Sequence, residues 1–194
     1  MKTVLITGGS RGIGAETAIE FAKSGYNVIV NYFNSKDLAL KIVEKCKTYG
    51  VKSVGAFADI SNMAQVKEMV STAESNFGMI DILINNSGIS QQKLFTNITQ
   101  NDWAKMLAVN LTGVFNCSQA VLPKMIINHT GRIINISSMW GQTGGSCEVH
   151  YSAAKSGVIG MTKALSKEVA PSGITVNCIC PGVIMTDMIS DLDN

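Results

Sequence analysis

Tyr151-Ser152-Ala153-Ala154-Lys155 sets a phenol and an ammonium four residues apart, a spacing that places both on one face of a helix. A free tyrosine ionises near pH ~10. A cation held beside it favours phenolate, so the pair predicts a hydroxyl able to give or take a proton near neutral pH. The ammonium has further donors to spare for a ligand. A second candidate lies near the start of the chain, in Thr7-Gly8-Gly9-Ser10-Arg11-Gly12-Ile13-Gly14. A glycine turn after an N-terminal strand lets a pyrophosphate approach the backbone and rest on the exposed N–H groups of the helix that follows. Either motif alone has an ordinary reading, as a polar helix surface or a tight turn; their combination in one chain directs attention to the elements that would position them.

Short β-branched runs alternate with longer amphipathic ones throughout. This pattern predicts a doubly wound α/β domain of Rossmann type, a parallel sheet flanked by helices on both faces. Strands are expected at Val4–Thr7, Asn27–Asn31, Lys52–Ala56, Ile80–Ile84, Arg132–Ser137 and Thr175–Ile179. Helices are expected at Gly12–Ser24, Lys36–Tyr49, Met63–Phe77, Asp102–Met125 and Tyr151–Ala170. Ser35 and Ser61 stand where helix N-caps belong, and Gly25, Gly50, Gly78 and Gly173 follow helices where a left-handed residue is wanted. The segment 138–150 is expected to be an irregular loop at the carboxyl end of a strand, a common place for function.

The 194 residues, 46% of them hydrophobic and only three of them proline, predict one domain with a sizeable core. A net charge of +2 supplies no footprint for nucleic acid or a membrane surface. Five scattered cysteines without zinc-type spacing fit a reducing compartment better than a disulfide framework. Cys178 and Cys180 are expected to be buried on one face of the last strand. Without a signal-like N-terminus or a membrane-length apolar run, the expected location is the cytoplasm. His129 and His150 have no partner ligands in the sequence, so no metal is expected.

The spacing Thr-Gly-x-x-x-Gly-x-Gly resembles the cofactor turn of the short-chain dehydrogenase/reductase family, and the family's other motifs follow in order. Asp59 lies after the third strand, where the resemblance implies a contact to the adenine ring. Asn85-Asn86-Ser87-Gly88 resembles the family's Asn-Asn-Ala-Gly, with serine in place of alanine, and implies a turn beside the cofactor. Asn110 matches the asparagine that kinks a helix and holds a water in the proton relay. Ser138, thirteen residues before Tyr151, matches the serine that hydrogen-bonds the reacting carbonyl, with Ser137 as its neighbour. Pro181-Gly182-Val183-Ile184-Met185-Thr186 resembles the segment that embraces the nicotinamide carboxamide. The implied catalytic set is Asn110, Ser138, Tyr151 and Lys155. The implied cofactor set is Gly8, Ser10, Arg11, Gly12, Ile13, Gly14, Asn31, Asp59, Asn86, Ser87, Gly88, Tyr151, Lys155, Pro181, Gly182 and Thr186.

NADP is expected over NAD. The second strand ends at Asn31-Tyr32 with no carboxylate to repel a 2′-phosphate, and Arg11 is placed to pair with one; Asp37, the nearby acid, fits the first turn of a helix. Along the whole chain the sequence is similar to bacterial 3-oxoacyl-acyl-carrier-protein reductases, which implies a small or carrier-bound ketone as substrate and a homodimer or homotetramer. The loop Ser138-Met139-Trp140-Gly141 with Ser146-Cys147-Glu148-Val149 instead resembles a related branch that includes the ketone reductase acting on modified elongation factor P. A cofactor binder with little activity remains a further alternative. Family members usually continue into substrate-covering helices and a final strand, elements not expected within these residues.

Overall fold

The computed structural model describes residues 1–185. Six strands form one sheet: β1 (Thr3–Ile6), β2 (Asn27–Tyr32), β3 (Ser53–Phe57), β4 (Ile82–Asn85), β5 (Gly131–Ile136) and β6 (Ile174–Ile179). Every pairing is parallel, in the order β3-β2-β1-β4-β5-β6. The chain winds outward from β1 to one edge, then returns to the centre and winds to the other. The carboxyl ends of β1 and β4 therefore flank a crevice from which successive connections diverge, the usual ligand position in such sheets.

The inner strands are apolar on both faces because helices cover both. Val4, Ile6, Val28, Val30, Ile82 and Ile84 pack with Ala18 and Ala22 of α1 (Gly12–Lys23) and with Ala39, Val43 and Cys46 of α2 (Lys36–Lys47). Leu5, Ile29, Leu83 and Ile133 point the other way. They meet Met69 of α3 (Met63–Phe77), Cys117, Val121 and Met125 of α5 (Gly113–Ile127), and Val169 at the end of α7 (Val149–Val169). The alternation follows the period of two along a strand.

All six strands and the first three helices lie close to their expected positions. Four details differ. The expected helix Asp102–Met125 is α4 (Gln100–Leu107), a π turn over Ala108–Thr112, and α5. The segment 138–150 is not wholly irregular: α6 (Met139–Thr143) lies within it and α7 begins at Val149. The cap of α3 is Asn62, whose side chain accepts from the Ala64 and Gln65 N–H groups, while Ser61 donates to Asp59 instead; Ser35 caps α2 by position without a side-chain bond. Cys178 and Cys180 are half-buried rather than buried, because the face of β6 opens toward its carboxyl end. Gly25, Gly50, Gly78 and Gly173 all have positive φ. Among the described residues no helix is long and apolar enough to cross a membrane.

Candidate active site

β1 ends directly in the glycine turn. Gly8 and Gly12 have φ values of 61° and 54°, a region costly for residues with a β-carbon. A β-carbon on Gly14 would run into the Gly8 carbonyl oxygen and lie 2.5 Å from Asn86 Nδ2. The turn is held from both flanks. Asn86 Nδ2 donates to the Thr7 and Gly8 carbonyls at 3.0 and 3.1 Å. The Thr7 hydroxyl accepts from Asn86 N and Ser87 N, both at 3.0 Å. The Asn31 Oδ1 accepts from Gly8 N at 3.3 Å.

This arrangement fits a dinucleotide. The backbone is bare where a pyrophosphate would approach, and the N-cap Arg11 makes no side-chain bond to the first turn of α1, leaving its N–H groups to an anion. Arg11 is exposed and Ser10 is nearly buried. A cavity of about 600 Å³ borders Gly12, Ile13 and Thr17 on α1 and Ile184 and Met185 on the segment after β6. Glu16 and Glu20 of α1 also border it, about 6 and 12 Å along the helix axis from Gly12.

Asn31 is 1% exposed, and its Nδ2 donates to the Ala56 and Ala58 carbonyls at 3.2 Å each. Its side chain therefore faces the interior and shapes the turn. Asp59 accepts from Ser61 N and Oγ at 2.9 and 2.7 Å, bracing its own loop. Thr186 lies outside the described residues.

The remaining candidates converge beyond β4 and β5. Asn110 is fully buried in the π turn: its Nδ2 donates to the Met106 and Ile89 carbonyls at 3.1 and 3.0 Å, and its Oδ1 accepts from Ile89 N at 3.2 Å. By capturing the Met106 carbonyl, the amide takes an acceptor that the helix would use for itself, and the helix widens at that point. A β-carbon on Gly88 would lie 2.7 Å from Asn110 Oδ1 and 3.6 Å from Lys155 Nζ, which places all three at one point.

Lys155 is 4% exposed. Its Nζ donates to the Ile136 carbonyl at 2.8 Å and lies 5.7 Å from the centre of the Tyr151 ring. Burial lowers its pKa to about 8. Tyr151 departs from expectation. Burial pushes its pKa above 10, the neighbouring Ser138 hydroxyl pulls it back in part, and the Glu148 carboxylate pushes it up again. Removal from water is the largest of these effects, and it favours the protonated phenol.

Ser138 begins α6, its Oγ accepting from Trp140 N at 3.2 Å. Ser137 turns away and donates to the Lys155 carbonyl at 2.9 Å, so of the two serines only Ser138 reaches the phenol. Met139 N donates to the Pro181 carbonyl at 2.9 Å, and Gly182 lies against Met139. Three participants were not singled out as site residues in the sequence: the Thr7 hydroxyl, the Ile136 carbonyl and the Gln91–His150 contact, described below. Thr7 could have been suspected from the glycine motif it opens; the other two depend on strand and loop contacts between distant residues.

The sequence profile of short chain dehydrogenases matches residues 2–194. The chain belongs to the short-chain dehydrogenase family. It is an oxidoreductase of the kind that interconverts an alcohol and a carbonyl. It is 44% identical over 193 residues to 3-oxoacyl-acyl-carrier-protein reductase FabG of Staphylococcus epidermidis strain RP62A, covering 100% of this chain and 79% of that one. FabG of Staphylococcus aureus strain Mu50 is 42% identical over 193 residues, with 100% and 78% covered. The corresponding reductase of Synechocystis is 41% identical over 192 residues, with 99% and 78% covered. Short-chain dehydrogenases carry their chemistry at the carboxyl ends of the sheet strands, where Asn110, Ser138, Tyr151 and Lys155 of this chain converge.

Proposed function

We propose that this chain is an NADPH-dependent carbonyl reductase that reduces a 3-oxoacyl thioester, with Tyr151 as proton donor. The observation that carries the reading is the convergence of Ser138, Tyr151, Lys155 and Asn110 across the crevice from an anion-ready glycine turn. The names of the relatives support the thioester, and Arg11, with no carboxylate at the end of β2, supports NADPH. The reading includes one nucleotide-binding domain, a cytoplasmic location and a homo-oligomer.

NADPH, when bound, supplies the hydride. Gly8, Gly12, Gly14 and the first turn of α1 would hold its pyrophosphate, and Lys155 would hold its ribose through the donors not engaged by Ile136. Ser138 and Tyr151 donate to the carbonyl oxygen and stabilise the negative charge that develops there. Tyr151 then passes its proton to that oxygen, completing the alcohol. A phenol that burial keeps protonated is suited to this direction.

The test is NADPH oxidation by the full-length protein against ketones that include acetoacetyl thioesters and protein-bound ketones. Tyr151→Phe should lower kcat at least a hundredfold, the range of general acid catalysis. Arg11→Ala should raise KM for NADPH more than for NADH. Binding of NADPH without reduction of any ketone, or full activity in Tyr151→Phe, rejects the reading; equal losses for the two cofactors reject NADPH.

A further inference from the structure

Tyr151 sits in the first turn of α7, where backbone N–H groups have no partners within the helix and ends fray. The N-cap, Glu148, makes no side-chain bond to that turn. A reactive phenol on an uncapped helix end needs another anchor. The segment after β4 provides one: Lys93 N donates to the Cys147 carbonyl at 2.7 Å, just before the helix, and Gln91 Oε1 lies 3.0 Å from Nε2 of His150.

The chemistry of that second contact can be read from its outer end. Asp102, in the capping box of α4, is bonded by Lys93 at 2.6 Å, and Lys93 and then Thr99 hold its carboxyl well below the usual carboxylate range. An ionised carboxylate only accepts, so Gln91 must turn its Nε2 toward Asp102 Oδ1, at 3.4 Å, and its Oε1 toward His150. The imidazole must then donate from Nε2. Its Nδ1 is left as a bare acceptor, and that atom is buried with no partner. His150 itself is fully buried. Protonating Nδ1 would bury an unpaired N–H and a charge. Burial accordingly lowers the His150 pKa, with Asp102 of α4 opposing that shift and Lys93 adding to it.

We propose that His150 is a positioning residue for the reduction: its Nε2–H bond to Gln91 locks the first turn of α7 to the segment after β4 and thereby fixes the Tyr151 hydroxyl against the substrate carbonyl. The proposal rests on the reductase reading above.

The test compares His150→Leu, which fills the space without the bond, with His150→Gln, whose amide can donate to Gln91. His150→Leu should lower kcat roughly tenfold to a hundredfold, the scale of a misplacement of about 1 Å in an active site, and leave KM for NADPH within about twofold. His150→Gln should recover kcat to within about threefold of wild type. Gln91→Leu, a change at an exposed residue, should reproduce the loss of kcat if the histidine variants fold poorly. A His150→Leu kcat within twofold of wild type, an equally impaired His150→Gln, or an unaffected Gln91→Leu overturns the proposal.

A readout without cofactor is also available, since the chain has two histidines and His129 is exposed. Imidazole ¹⁵N spectra should show the His150 ring neutral at pH 7, with its proton on Nε2. A proton on Nδ1 instead of Nε2 overturns the proposal whatever the enzyme's activity, whereas an active Tyr151→Phe removes the reductase reading and leaves the tautomer result standing.

Discussion

Replacing Lys155 by methionine separates the stability of the fold from its chemistry. The ammonium is 4% exposed, and burial holds its pKa at about 8 against 10.5 for a free lysine. At about 1.4 kcal/mol per unit, the folded chain disfavours the charged form by roughly 3 kcal/mol. Below pH 8 the folded and unfolded chains both carry the proton, and the full penalty applies. Between pH 8 and 10.5 the folded chain releases it first, so the contribution of Lys155 to stability rises with pH and levels off above 10.5. Methionine is of similar length and removes the penalty, but it leaves the Ile136 carbonyl without its 2.8 Å partner, a loss of about 1 kcal/mol. The variant should gain about 2 kcal/mol at pH 7, roughly 4–8 °C in Tm for a chain of this size, while losing reductase activity. Thermal and urea unfolding of both proteins without cofactor, from pH 7 to 10.5, measures this directly. The advantage of the variant should shrink as pH rises. A variant less stable than wild type at pH 7, or an advantage over wild type that does not shrink between pH 8 and 10.5, refutes the reasoning.

Two further substitutions probe the turn and the widened helix. Gly14→Ala sets a methyl against the Gly8 carbonyl and 2.5 Å from Asn86 Nδ2. At about 1–3 kcal/mol for such crowding, the affinity for NADPH should fall about fivefold or more, read by fluorescence titration; an unchanged Kd refutes it. Asn110→Leu removes the donors to Met106 and Ile89 and should cost about 2–3 kcal/mol, the range for stranded buried partners. It should lower kcat more than it raises KM, and a wild-type Tm with wild-type kcat contradicts it.

The parallel sheet was legible because the buried strands carry β-branched runs and α1, α2 and α3 each meet a glycine stop, both local signals. The glycine turn and the Tyr151–Lys155 face were legible for the same reason: their geometry follows from spacing along one element. What escaped depends on partners far along the chain. The π turn forms where Asn110 bonds both the Met106 carbonyl of its own helix and Ile89, twenty-one residues away, and an amphipathic pattern running through Asp102–Met125 carries no mark of it. The short helix α6 rests on a single serine cap and five residues, too few for a period to show. The burial of Tyr151 was not legible, because spacing reveals the cation beside the ring but not how much water the fold removes. The tautomer of His150 is set by a carboxylate on another helix through an intervening amide, a relation no sequence motif encodes.

Asn31 constrains what protein engineering can do with this scaffold. The end of the second strand is the natural place to install an acid when redesigning coenzyme preference. Here that side chain already spends both hydrogens on the Ala56 and Ala58 carbonyls and its oxygen on the Gly8 amide. An aspartate would face two carbonyl oxygens with a buried negative charge, so the exchange would unfasten β2 from β3 and loosen the glycine turn before it altered selectivity. A redesign must begin instead at the solvent-facing Arg11, where a change of side chain leaves the sheet intact.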